Sequence, residues 1–206
     1  VKTSLEAVPN EYTICKSADG IYLNISNQKI DLTLNLRRGL AIESLIFETH
    51  ELESCLGTLK HGYSDSIVNS ADFFSGAVIL ERPDLMEKFT DLLPVSPVFH
   101  VGEAGDLRIS AKTKNKMGNF LKVISLLPNE EKLNIGYEFE KIPRGISSLR
   151  VGNITFSRSF AKSMTNFSCH TGGLKHTLYP INSDFKQSTA PSSFVSSSGG
   201  FFATSG

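Results

Sequence analysis

Between Asp31 and Phe47 the chain reads DLTLNLRRGLAIESLIF, and this run restricts the fold more than any other. Leu32, Leu34 and Leu36 alternate with Thr33 and Asn35. After Arg37-Arg38-Gly39 the pattern resumes with Leu40 and Ile42, then Leu45 and Phe47, so the apolar face switches near Glu43-Ser44. Alternation with a period of two sends successive side chains to opposite sides of an extended strand, whereas a helix would repeat about every 3.6 residues. Two such runs meeting at a basic turn describe strands that bury one face. Gly39 supplies the positive φ or the close backbone approach that a tight bend needs.

The same pattern recurs along the chain. Residues 1–11 are a mixed polar lead containing Pro9, read as a linker or arm. Two short runs then flank Ala18-Asp19-Gly20, and Asp-Gly between alternating segments predicts a hairpin. Residues 48–60 read as polar and turn-like around Gly57, and the apolar run from Ser70 to Glu81 reads as a buried strand. Residues 84–93 carry apolar positions at helical spacing but also alternate, and the surrounding strands favour a strand or short turn there. Leu107 to Thr113, Phe120 to Leu127 and Lys132 to Glu140 form a meander, with Leu133, Ile135, Tyr137 and Phe139 on one face. From 157 to 198 the chain is rich in Ser, Thr, Asn, Gly and Pro, which reads as long loops. Residues 12–206 are therefore read as one antiparallel all-β sandwich with a loop-rich segment at 157–198. Phe201-Phe202-Ala203 resembles a strand that is just starting, which gives the expectation of a sandwich incomplete at its C-terminus.

Composition narrows the partners. Twenty-one basic residues balance 21 acidic ones, so no whole-chain field draws the protein to nucleic acid or a membrane surface. No apolar run approaches the roughly 20 residues of a membrane helix. With 14 Phe and no Trp, phenylalanine carries the aromatic packing, and a sugar platform would have to be built from Tyr or Phe. Cys15, Cys55 and Cys169 are odd in number and scattered, which implies buried, reduced thiols, no zinc site and a cytoplasmic setting. Asn24, Asn153 and Asn166 begin glycosylation-type triplets, a pattern frequent by chance in a Ser-rich chain.

The order of elements resembles the galactose-mutarotase-like β-supersandwich, found as epimerases and as non-catalytic domains of glycoside hydrolases and glucanotransferases. Leu36 to Leu45 resembles the early glycine bend and its I-x-S-L strand. Phe120 to Phe139 resembles the strand, L-x-P-x-x-x-x-L, strand pattern. The likeness covers roughly residues 12–156. It implies a carbohydrate-binding or bracing accessory domain of a larger carbohydrate-active enzyme, with an oligosaccharide or polysaccharide and a neighbouring catalytic domain as partners. Mutarotases use a His acid and a late Glu base, and here no Glu follows Glu140, which counts against mutarotation.

The chemistry-bearing residues are few. Lys60 to Asp65 is the densest cluster: His61 and Asp65 are the candidates for catalysis, and with Tyr63 they also suit the grip of vicinal hydroxyls. His100 with Glu103 is a second imidazole–carboxylate pair, and His170 and His176 frame a Gly-Gly turn beside Cys169. His61, Tyr63, Asp65, His100, His170 and His176 are thus the expected substrate-binding residues. No metal or cofactor pattern is present. The competing readings are an epimerase or mutarotase-like enzyme built on His and a carboxylate, and a structural protein-interaction domain.

Overall fold

The computed structural model describes residues 11–49, 53–58, 65–116, 118–141, 144–157 and 160, together with the backbone of 166–170 and 176–180. The chain divides into two compact units, 1–157 and 158–206.

The first unit is an antiparallel all-β sandwich, as the alternation predicts. One sheet takes its strands in sequence order: β1 (Thr13–Lys16), β2 (Tyr22–Ser26), β3 (Ile30–Asn35), β4 (Ala41–Phe47) and β5 (Leu56–Gly57). The Asp-Gly hairpin joins β1 to β2: Gly20 sits at φ 71°, and the Asp19 carboxylate accepts from the Ile21 N–H. A three-residue turn with 3₁₀ geometry, Leu36–Arg38, links β3 to β4, and the Asn35 side chain accepts from the Arg37 N–H at its start.

Gly39 meets both demands made of it. Its φ is 59°, and a Cβ there would lie 1.9 Å from the Asp91 carbonyl oxygen. The switch of face at Glu43 is a β-bulge: Thr33 pairs with Ser44 but Leu34 pairs with Ile42, so one extra residue is spent on β4. Ile42 and Leu45, three positions apart, consequently both enter the core.

A second sheet orders its strands β11-β10-β9-β8, made of β8 (Val98–Val101), β9 (Leu107–Asn115), β10 (Gly118–Leu126) and β11 (Leu133–Phe139). This is the predicted meander. On β11 the residues Leu133, Ile135, Tyr137 and Phe139 turn inward, and Asn134 and Glu138 face solvent. Leu107, Ile109, Ile124 and Leu126 pack on Leu23, Ile25, Leu32 and Leu34 of the first sheet to form the main core.

The third sheet, in the order β12-β6-β7, comprises β6 (Ala77–Arg82), β7 (Glu87–Thr90) and β12 (Ser148–Asn153). β6 is buried on both sides, which is why Ala77 to Leu80 reads as a continuous apolar run. Val78 and Leu80 pack with Phe120, Tyr137 and Phe139, whereas Ala77 and Ile79 pack with Ala41, Phe74 and Leu92. Single bridges, Ile42 to Ser75 and Leu56 to Phe156, join this sheet region to the first.

Three expectations need correction. The run 70–81 is strand only from Ala77. Before it, α1 (Ile67–Ser70) and a 3₁₀ turn, Ala71–Phe73, lay Ala71 and Phe74 over the β6 face. Gly57 is not a turn but a buried strand residue paired with Ser44. Its missing side chain is required there, because a Cβ would stand 2.3 Å from the Glu43 carbonyl oxygen at the bulge. Of the cysteines, Cys55 is buried but Cys15, on the edge strand β1, is exposed. At 84–93 both expected elements are present: a 3₁₀ turn, Pro83–Leu85, leads into the strand β7.

In the second unit, within the stretch read as loops, β13 (Asn166–His170) and β14 (His176–Pro180) form an antiparallel hairpin.

Candidate functional site

Among the described residues of the first unit, Asp65 and His100, both singled out by the sequence, stand on different elements. His61 and Tyr63 lie outside the described residues. Asp65 is exposed on the turn leading into α1. His100 is exposed on β8, and its directly opposed partner on β9 is Arg108, not a carboxylate. Glu103 is exposed in the turn that follows β8. His170 of β13 and His176 of β14 are register partners, so their backbones are adjacent.

Chemistry concentrates instead at a junction of all three sheets. Lys122 projects from β10 into the interior, and its Nζ lies 2.5 Å from Asp91 Oδ2, the two side chains being 3% and 2% exposed. The ammonium also donates to the Gly39 carbonyl oxygen at 2.7 Å. Asp91 Oδ1 accepts from the Val78 N–H at 2.8 Å. The Tyr137 ring stands over the ammonium, 5.7 Å from nitrogen to ring centre, a cation–π arrangement in a site with little water. Tyr137 donates its hydroxyl to the Gly76 carbonyl oxygen at 2.9 Å. One ion pair thereby touches the β3–β4 bend, β6, the end of β7, β10 and β11.

Burial dominates the electrostatics. It pushes the Lys122 ammonium below the ordinary lysine range, and the Asp91 carboxylate opposes that shift. It pushes the Tyr137 phenol well above 10.0, with the Asp91 charge adding in the same direction. Desolvation disfavours the charged form of each group. Removing one member of such a pair leaves a buried charge without compensation, which is far more damaging than removing both.

A second charged group lies on the third sheet. Arg150 of β12 reaches Asp72 through one guanidinium nitrogen and Glu81 through the other, the latter at 3.0 Å. Lys88 of β7 bridges the same two carboxylates at 3.6 and 3.2 Å. These side chains are roughly a fifth to two fifths exposed, so the quartet braces the sheet face beside the 71–73 turn and remains open to solvent.

The Lys122 junction carried a sequence signal that the expected sites did not include. In Phe120 to Leu126 the period of two puts Lys122 on the same face as Phe120, Ile124 and Leu126, and a lysine in an inward row demands a buried anion. Neither a comparison with protein-family models nor one with curated proteins finds a match to this chain.

Proposed function

We propose that the chain is a carbohydrate-binding or bracing accessory domain of a larger carbohydrate-active enzyme, of the galactose-mutarotase-like supersandwich kind. The two stretches that carry the resemblance are structural landmarks of the first unit: Leu36 to Leu45 makes the bend and bulge between β3 and β4, and Phe120 to Phe139 makes the β10–β11 hairpin. Supersandwiches present a broad rigid sheet against which a glycan or a neighbouring domain can lie.

The observation that favours binding over catalysis is the pairing of His100. An imidazole acting as a general acid or base is oriented by a carboxylate within hydrogen-bond reach. His100 faces Arg108 across the ladder, and Arg108 is itself held by Asp106 at 2.5 Å. The guanidinium directly opposed to the ring is a donor and offers it no orienting acceptor.

Polarimetry with common aldoses tests this reading. The isolated chain should leave mutarotation at its uncatalysed rate. An acceleration that disappears in Asp65→Asn or His61→Ala would replace the accessory reading with an epimerase.

A further inference from the structure

Independently of the carbohydrate reading, the Lys122–Asp91 pair is poised for chemistry within the chain. Its Nζ is held against Asp91 Oδ2 at 2.5 Å, a contact close in distance yet not aligned as a hydrogen bond. Both reactants are fixed from outside the pair. The Val78 N–H donates to Asp91 Oδ1, Lys122 Nζ donates a hydrogen bond to the Gly39 carbonyl oxygen, and the Tyr137 ring stands over the nitrogen. The site is almost sealed from water, which would otherwise stabilise the ions.

We propose that Lys122 and Asp91 condense into an intramolecular isopeptide bond, making this junction a site of self-modification that ties β10 covalently to the end of β7. The ammonium first passes a proton to the carboxylate, giving an amine and a carboxylic acid. Burial disfavours the ammonium and so eases the loss of its proton. The nitrogen lone pair then forms the Nζ–Cγ bond while the Cγ–Oδ2 bond breaks. Oδ2 leaves as water, carrying the carboxyl proton and one of the two amine protons. The remaining N–H stays on the amide, where it can donate to Gly39. No electron acceptor or donor is consumed. The fold supplies what the uncatalysed reaction lacks, namely two partners held together in place before the reaction.

The test is the intact mass of the purified full chain under denaturing conditions. The expected mass is about 18 Da below that of the sequence, one water lost. Proteolysis should then yield a branched peptide joining the segments that contain Asp91 and Lys122. Lys122→Arg should restore the full mass. Asp91→Asn should lose ammonia in place of water, and the branched peptide to Lys122 separates this from cyclisation of the asparagine to a succinimide, which loses the same mass. A wild-type chain that keeps its full sequence mass after prolonged incubation, with no branched peptide, would show an ion pair alone and overturn the proposal.

Discussion

Lys122 shows how a single residue can govern a β core. In an alternating strand, an inward position taken by lysine is tolerated only because Asp91, Gly39 and Tyr137 receive its charged end. Relative to the uncondensed ion pair, Lys122→Met leaves the Asp91 carboxylate buried without its partner, and denaturant unfolding should show a loss of about 3–5 kcal/mol. Adding Asp91→Leu removes that orphan and should return part of the loss. Two losses that simply add would mean the groups do not interact.

Tyr137 gives a pH signature. Folding raises its phenol above the ordinary 10.0, so the folded chain keeps a proton that the unfolded chain releases. Its contribution is fully present below pH 10 and is lost as the pH climbs above it. Tyr137→Phe should flatten that alkaline fall in a pH series of unfolding midpoints, at the expense of the hydrogen bond to Gly76.

At the scale of elements, period-two alternation was enough to place most strands, because each buries one face or, for β6, both. The bulge was also legible, since Ile42 and Leu45 cannot share a face of a regular strand. Two features escaped for physical reasons. The turns at 67–73 are too short to establish a helical period, and the apolar Ala71, Phe73 and Phe74 run on toward the strand they precede. Gly57 looks like a turn residue, yet it is selected by a close approach to Glu43, a contact across strands that local sequence does not encode. Gly57→Ala must therefore displace the bulge, and we expect a loss of about 2 kcal/mol or more from overpacking. A neutral effect would mean that β4 and β5 separate easily at that point.

The inward face of β11 supports a second test of the packing. Phe139 meets Phe120 edge to face, with ring centres 5.2 Å apart and planes at 77°. Phe139→Ala should cost about 2–3 kcal/mol, less than a fully enclosed ring because Phe139 is half-buried. A loss below about 1 kcal/mol would contradict the assignment of that face.

At the scale of the whole molecule, the fold was more legible than the site. Alternation reports burial, and burial organises all three sheets of the first unit. A binding site depends on side chains brought together from distant segments. Asp65 and His100, similar as candidates on paper, stand on different elements with different neighbours. His61 and Tyr63 lie outside the described residues and neighbour Asp65 in the sequence, and the accessory-domain reading expects that cluster to serve a glycan. Binding of this kind is weak, because sugar hydroxyls exchange water for protein at little net gain. The most direct test is titration of the isotope-labelled chain with maltose and longer maltooligosaccharides while backbone amide shifts are followed. Saturable shifts centred on His61, Tyr63 and Asp65 are expected, stronger with longer chains. Shifts absent with every glycan tried, or confined to the outward face of β11, would contradict the accessory-domain reading and leave protein interaction as the role of the sheet.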